Sequence, residues 1–265
     1  STFLAGAALV LWGEDEDDTF AEALVRHYVT VATLTPSALA VLEPGKLSSL
    51  TRVAVAAEAC PPTLVDTWCN ERRRMFNAYG PSENTVVSTW GELLPELKPG
   101  IMARSGSGSD DGFVLHVDDG DERNESAGPA QAAEGSVRQA PIGRPLDGVQ
   151  CYVLEATAGK ALQAIGFPGE LCLGGVQLAR GYLGDAAKTA DKFIPNPLFG
   201  QKTERMYKTG DLVAWLPQGQ LVYLGRNDEM VKVRGFRIEL TEVEAALAAL
   251  GAQAVAVAVN TSKDG

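Results

Sequence analysis

The first third of the chain alternates short apolar runs with helix-start signals. The runs are Val29–Leu34, Arg52–Ala56 and Met75–Ala78. Pro36 opens a helix between the first two runs, and Pro61 opens another that reaches about Asn70. Strands that alternate with helices of about ten residues predict right-handed βαβ crossovers and a parallel sheet with helices on both faces. The fold class indicated by this pattern is α/β.

A polar loop follows the third run, where parallel sheets bind their ligands. It reads Asn-Ala-Tyr-Gly-Pro-Ser-Glu over residues 77–83. Gly80-Pro81 forces a turn and leaves three functional side chains on the loop. Tyr79 can stack on a base for about 1 to 3 kcal/mol, the Ser82 hydroxyl can bind a phosphate oxygen, and the Glu83 carboxylate suits Mg2+. The loop therefore predicts a nucleotide site.

A second polar pair is predicted in the segment from Met206 to Glu244. Asp211 follows a tight turn at Thr209-Gly210, and Pro217–Gln220 separates two apolar runs, which predicts a β-hairpin. Hairpin pairing would bring Arg226 back to Asp211. A carboxylate accepts two hydrogen bonds from a diol, and a guanidinium binds phosphate or ribose oxygens. A nucleotide carries both groups.

Composition excludes several classes of function. The net charge of −11 argues against a nucleic-acid partner, because phosphate backbones require concentrated positive charge. The four cysteines lack metal-ligand spacing and indicate reduced thiols in a cytosolic protein. No apolar run reaches the roughly 18 residues of a membrane span. His27 and His116 are isolated, which disfavours a histidine-activated nucleophile. A length of 265 residues allows one large domain or two smaller ones.

The middle of the chain divides into a polar segment and a β-rich segment. Residues from about 92 to 138 carry little periodicity and are rich in Asp, Gly and Ser, which predicts a flexible acidic insertion. Gln150–Leu154 is predicted as a strand. Gly169–Gly175, followed by Ala179–Tyr182, indicates a structural β-rich stretch whose glycines permit close backbone approach.

These motifs, taken in order, resemble the adenylate-forming (AMP-binding) enzyme superfamily. N-A-Y-G-P-S-E, G-E-L-C-L-G-G, L-A-R-G-Y-L, Y-K-T-G-D-L, G-R-N-D and V-K-V-R-G-F-R-I-E-L are similar to those of the amino-acid adenylation domains of nonribosomal peptide synthetases. The resemblance covers nearly the whole chain except the acidic insertion. It implies that residues 1–227 belong to a large domain with a parallel sheet and a β-rich subdomain. Residues 228–265 would begin a small α+β domain, with the hinge at Asp228.

The resemblance also implies a role for each residue of the nucleotide site. Asn77 and Tyr79 would contact adenine, Ser82 would bind phosphate, and Glu83 would bind Mg2+. Ser82 stands where the family has threonine, which keeps the hydroxyl group. The roles implied further along the chain are the ribose hydroxyls for Asp211, and the ribose and phosphate for Arg226. Ser82, Glu83 and Arg226 would be the catalytic residues among these.

An amino-acid pocket is implied by the same resemblance. Its positions are Thr33, Ala54, Ala56, Ala78, Val86 and Val87. All are small or apolar, which favours an uncharged aliphatic or aromatic substrate side chain. The family's Gly-Gly before Glu58 is Ala56-Ala57 here, and two additional methyl groups would narrow the site.

The implied reaction has two steps. A substrate carboxylate attacks the α-phosphate of ATP, with Mg2+, to give an acyl adenylate and pyrophosphate. A phosphopantetheine thiol on a peptidyl carrier domain then takes the acyl group. The family's glycine-rich phosphate loop would lie before Ser1 and its catalytic lysine after Gly265. The chain is therefore expected to be a fragment, inactive alone and active within its parent protein.

Two alternatives remain open at this point. One is an acyl- or aryl-CoA ligase of the same superfamily, distinguished by the residue before Ser1 that would meet an α-amino group, because an aspartate there supports amino acids. The other is a non-catalytic nucleotide-binding or scaffold remnant. Binding of ATP and Mg2+ without turnover in a longer chain would favour the remnant.

Overall fold

The computed structural model describes residues 6–11, 18–94, 102–103, 115–116, 140–155, 161–198, 204–227, 230–233, 236–239, 243 and 246–247. The helices are α1 (Phe20–Arg26), α2 (Pro36–Ala40), α3 (Pro62–Trp68) and α4 (Ala186–Lys192), with 3-10 turns at Pro44–Lys46 and Ser82–Asn84. The strands are β1 (Val31–Leu34), β2 (Arg52–Ala56), β3 (Arg74–Tyr79), β4 (Thr89–Leu93), β5 (Met102–Ala103), β6 (Leu115–His116), β7 (Pro141–Pro145), β8 (Val149–Leu154), β9 (Gly169–Gly175), β10 (Phe193–Pro195), β11 (Arg205–Trp215), β12 (Leu221–Arg226), β13 (Met230–Val233) and β14 (Phe236–Glu239).

In the described part of the chain, ten strands form one mixed sheet. The strand order is β1-β2-β3-β4-β7-β12-β11-β9-β8, and β10 pairs with β11. The first three strands are parallel, and the other pairs are antiparallel. The pairs β5-β6 and β13-β14 form separate two-stranded sheets. The predicted parallel βαβ unit and β-rich region are confirmed.

The short helices begin where the sequence signals predict. Thr19 and Glu22 form a capping box at the start of α1, and proline occupies the first turn of α2 and α3. Helices of five to seven residues are marginal alone, so packing must stabilise them. Their buried residues, such as Leu39 and Trp68, join one apolar cluster with strand residues such as Val53.

The helices α1 to α3 cover one face of the parallel strands, whereas the sequence pattern predicts helices on both faces. Register puts Ala32, Val53 and Met75 side by side toward the helices. On the opposite face, Val31 is 55% exposed and Trp90 is 39% exposed. The βαβ crossovers within the described residues all pass on the same side, which explains the difference.

The antiparallel pairing of β4 with β7 joins strands β1 to β4 to the rest of the sheet. Gly143 has a φ of +86°, and a Cβ there would lie 2.2 Å from the Trp90 carbonyl carbon. A side chain at this position would therefore separate the two strands. Thr89 Oγ1 donates to the Ile142 carbonyl at 2.5 Å, and Asn77 Nδ2 donates to the Pro141 carbonyl at 2.9 Å. The Thr89 bond holds the start of β4 against β7, and the Asn77 bond holds the carboxyl end of β3 against β7.

The segment Thr209-Gly210 forms a bulge, and the tight turn predicted there is wrong. Strand β11 runs continuously through it, while its register with β9 shifts between Lys208 and Leu212. Gly210 takes a φ of +74°, and Thr209 Oγ1 donates to the Leu171 carbonyl at 2.7 Å. The left-handed glycine adds a residue to the strand without reversing the chain. The predicted hairpin of β11 and β12 is confirmed.

The predicted acidic insertion begins later in the structure than the sequence pattern indicates. Residues 92 and 93 end strand β4, and β5 pairs with β6 further along. The other residues of 95–138, the hinge at Asp228 and most of the segment after 240 lie outside the described residues. Among the helices described, none has the length and apolarity that crossing a bilayer requires.

Candidate nucleotide-binding site

A buried ion pair forms the base of the site. Asp211 and Arg226 are direct partners in the β11–β12 register. Arg226 Nη1 lies 2.6 Å from Asp211 Oδ1, and the two side chains are 9% and 5% exposed. The bulge contributes two further bonds: Arg226 Nη2 donates to the Thr209 carbonyl at 3.1 Å, and the Asp211 amide donates to Thr209 Oγ1 at 3.0 Å. The pair is therefore held on a rigid part of the hairpin.

Tyr79 joins the pair from the other half of the sheet. Its phenolic oxygen donates to Asp211 Oδ2, across 132 residues of sequence. Burial, and then the neighbouring Asp211 carboxylate, raise the pKa of Tyr79 well above its ordinary value, so the phenol remains a donor. A carboxylate offers about four acceptor positions, so Asp211 retains capacity for ligand hydroxyls after binding these two groups.

A cavity of about 230 Å³ opens beside Tyr79 at the carboxyl ends of β2 and β3. Its walls are Ala57–Cys60, Asn77–Gly80, Ala140, Ile142 and Tyr223. The two tyrosines give it aromatic surface suited to a flat heterocycle. The Asn77 amide nitrogen already donates to the Pro141 carbonyl, so its oxygen is the atom available to accept from a ligand. Tyr79 lines this cavity and also contacts Asp211, so it links the space for a base to the ion pair.

Tyr223 was missed by sequence reasoning, although it lies in the hairpin that the sequence predicted. It stands opposite Val213 in the strand pairing and is half-buried. In the sequence, Tyr223 lies two residues before Gly225 and three before Arg226. The signal available in the sequence was an aromatic residue close to the end of the hairpin that was predicted to bind a ligand.

The loop after β2 forms a fixed wall of the cavity. Ala57 adopts a left-handed backbone with φ of +72°, a conformation that favours glycine. Ala57 lines the cavity, whereas Ala56 lies in β2 beside Ala78. The narrowing of the substrate site by both alanines stays a prediction. The Glu58 carboxylate accepts from the Ser37 amide at 3.0 Å and from the Ser37 hydroxyl at 2.9 Å. These bonds anchor the wall to helix α2.

The predicted metal-binding carboxylate lies on the loop that follows Tyr79. Ser82 is exposed and Glu83 is half-buried. Glu83 Oε1 accepts a hydrogen bond from Tyr182 Oη at 2.7 Å. Across the residues that the structure describes, no group of three or more metal-binding side chains occurs. A single carboxylate nevertheless fits Mg2+, which commonly binds one or two carboxylates together with substrate phosphates and water.

Four of the six positions predicted for the amino-acid pocket lie on the sheet face opposite the helices. Thr33 is paired with Ala54, and Ala56 with Ala78, so these four positions form two neighbouring rows. Of the six predicted positions, Ala78 lines the 230 Å³ cavity. The remaining two follow the Glu83 loop: Val86 is 71% exposed and Val87 is half-buried. The pocket assignment stays a prediction.

Curated relatives match almost the whole chain. Bacitracin synthase 3 of Bacillus licheniformis is 37% identical over 243 residues, which is 91% of this chain and 3% of the relative. Phosphinothricin tripeptide synthetase PhsC of Streptomyces viridochromogenes is 37% identical over 253 residues, or 93% and 19% of the two chains. The chain therefore spans less than a fifth of the length of these relatives.

A solved structure and a family model agree with these relatives. The adenylation domain AlmE of Vibrio cholerae, solved with glycyl-adenosine-5'-phosphate, superposes with a TM-score of 0.62 at 25% identity. The match covers 86% of this chain and 37% of that one. The family described as AMP-binding enzyme matches residues 1–183. With the Tyr79–Asp211–Arg226 cluster beside a cavity of suitable shape, these matches show that the chain belongs to the AMP-binding family of adenylate-forming enzymes.

Proposed function

We propose that this chain is part of a longer protein that activates an amino acid as aminoacyl-AMP and transfers it to a phosphopantetheine thiol on a carrier domain. The observation that carries the proposal is the contact of Asp211 with Arg226 and with Tyr79, since Tyr79 also lines the 230 Å³ cavity. The relative named as a tripeptide synthetase and the AlmE complex with glycyl-adenosine-5'-phosphate support an amino acid as substrate.

The residues of the cluster would divide the nucleotide between them. Asp211 would accept hydrogen bonds from the ribose hydroxyls, and Arg226 would donate to ribose and phosphate oxygens. Tyr79 and Tyr223 would flank the adenine, and the protonated phenol of Tyr79 would keep Asp211 oriented. Because the pair is already buried and ordered, little reorganisation accompanies nucleotide binding.

The loop from Gly80 to Glu83 would act on the phosphates. The exposed Ser82 hydroxyl would donate to a phosphate oxygen, and Glu83 would hold Mg2+. When bound, Mg2+ neutralises charge on the transferring phosphoryl group. The substrate carboxylate oxygen forms a bond to the α-phosphorus, and the bond from that phosphorus to pyrophosphate breaks. The carrier thiolate then forms a thioester, and AMP leaves with the electrons of the broken C–O bond.

ATP–pyrophosphate exchange with a panel of amino acids tests the proposal in the longer protein. We expect amino-acid-dependent exchange, and a loss of about 100- to 1000-fold in rate when Arg226 is changed to Gln, because one charge-stabilising contact is removed. Arg52→Gln, an exposed arginine in the same sheet, is the matched control and should retain the rate.

Two outcomes contradict the proposal. Exchange that depends on carboxylic acids without an amino group would assign the acyl- or aryl-CoA ligase reaction instead. ATP binding without exchange for any amino acid would assign a non-catalytic nucleotide-binding protein.

A further inference from the structure

The segment from Gln177 to Tyr182 supports the loop that carries Glu83. Thr85 Oγ1 donates to the Gln177 carbonyl at 2.7 Å, and the Ala179 amide donates to the Glu83 carbonyl at 2.9 Å. The loop needs this support because Thr85 adopts a left-handed backbone with φ of +54°. Two segments more than 90 residues apart are therefore joined at Glu83 and at Thr85.

Tyr182 extends this connection to the side chain of Glu83. Its phenolic oxygen donates to Glu83 Oε1 at 2.7 Å and lies 3.4 Å from the Tyr207 hydroxyl. Burial, and then the hydrogen bonds to Tyr207 and Glu83, raise the pKa of Tyr182 far above its ordinary value. The phenol therefore keeps its proton and donates a hydrogen bond to the carboxylate.

Two contacts hold the ring of Tyr182, and a third holds its backbone. The ring contacts Phe193 edge to face, with ring centroids 5.6 Å apart. Lys188 Nζ lies 5.0 Å from the ring centroid, and the Tyr182 amide donates to Thr189 Oγ1 at 2.9 Å. A phenol fixed in this way restricts the orientation of the carboxylate that it contacts.

We propose that Tyr182 is a positioning residue for Glu83, orienting its carboxylate toward the cation that accompanies the nucleotide phosphates. The inference rests on the proposed function, which gives Glu83 the cation. A hydrogen bond to one carboxylate oxygen restricts the orientation of the side chain, and a carboxylate has about four acceptor positions in all. Partners that orient a metal ligand typically contribute about 10- to 100-fold in metal affinity. The segment that carries Tyr182 would therefore have a functional role in addition to its structural one.

Mn2+ binding to the longer protein, with α,β-methylene-ATP present, tests the positioning role of Tyr182. The EPR signal of free Mn2+ measures this binding. Mn2+ shares the preference of Mg2+ for octahedral oxygen ligands. We expect Tyr182→Phe, which keeps the ring, to weaken Mn2+ binding about tenfold. Nucleotide affinity measured in EDTA should not change. Tyr152→Phe removes a phenolic hydroxyl from β8 and should match the unmodified protein.

Glu83→Gln separates failure of this inference from failure of the proposed function. If Glu83→Gln weakens Mn2+ binding while Tyr182→Phe does not, Tyr182 has no positioning role. If Tyr182→Phe weakens nucleotide binding in EDTA as much as it weakens Mn2+ binding, its role is structural and the inference is wrong. If Glu83→Gln leaves Mn2+ binding unchanged, the metal assignment is wrong and the inference falls with it.

Discussion

The chemistry of this site depends on individual side chains that need one another. Asp211 and Arg226 are almost fully buried, so neither charge is stabilised by bulk water. Tyr79 supplies a second contact to the same carboxylate. Burying an unpaired charge is costly, which makes the three residues a single unit for stability and for the proposed nucleotide binding.

Replacing Asp211 with Asn should lower the free energy of unfolding by about 3 to 5 kcal/mol, because the buried guanidinium of Arg226 loses its counter-charge. Urea denaturation followed by circular dichroism measures the change. Glu43→Gln is the control: it breaks the Lys46–Glu43 pair, whose side chains are 70% and 67% exposed. That change should cost no more than about 1 kcal/mol. Equal losses for the two variants would show that the buried pair is not a stabilising unit.

At the scale of elements, the site exists because β7 connects two unlike halves of the sheet. β4 and β12 flank β7 on either side. The parallel half supplies Tyr79, and the antiparallel half supplies Asp211 and Arg226. The closeness of β4 to β7 therefore governs whether these side chains meet.

Gly143→Ala should disrupt this junction. Gly219→Ala is the matched control, since Gly219 also has a left-handed backbone, with φ of +73°, but a Cβ there would meet nothing within 4 Å. Both variants carry backbone strain of roughly 1 to 3 kcal/mol. Gly143→Ala should cost about 2 kcal/mol more, because its Cβ meets the backbone of Trp90 and Gly91. Equal urea midpoints for the two variants would contradict this account.

At the scale of the whole molecule, buried thiols are distributed through separate parts of the core. Cys60 belongs to the cluster under the helices, and Cys172 packs with Leu154 and Met206 in the β-rich region. Burial raises the pKa of each of these thiols to about 12. Both therefore remain protonated in the folded state at a pH where an unfolded chain loses the proton.

Stability should consequently fall as pH rises above about 8.5, the ordinary pKa of an unfolded cysteine. The unfolded chain releases these protons first, so each thiol contributes a slope of about −1.4 kcal/mol per pH unit until the folded pKa is reached. Urea unfolding between about pH 8.5 and 10 measures the slope before tyrosines ionise in the unfolded chain. Cys172→Ala should make it less steep by about 1.4 kcal/mol per pH unit. An unchanged slope would contradict the assignment.

Features encoded within short stretches of sequence were predictable. The period of the apolar runs predicted β1 to β3, and Pro36 and Pro61 predicted the starts of α2 and α3. The Asp211–Arg226 pairing followed from a hairpin whose turn and strands lie within one continuous segment. Each of these depends on local geometry, namely the strand and helix periods and the conformations available to Gly and Pro.

Other features required contacts between distant segments. Arg73 appeared as one of three consecutive arginines, yet it is 6% exposed and donates to the Leu50 carbonyl at 2.7 Å and the Leu47 carbonyl at 2.6 Å. The Thr209-Gly210 bulge resembled a turn because a left-handed glycine serves both structures. The alternative chosen depends on the neighbouring strand β9, which the local sequence does not contain.

By itself, the sequence determined strands β1 to β3, the hairpin of β11 and β12, the residue types available to bind a nucleotide and the pairing of Asp211 with Arg226. Only the tertiary structure decided that Tyr79 reaches Asp211, that Tyr223 lines the same cavity and that Tyr182 contacts Glu83. Local patterns specify backbone periods and turns, whereas contacts across the sheet depend on strand order and register. Those are set by packing between strands far apart in the chain, through β4, β7 and β12.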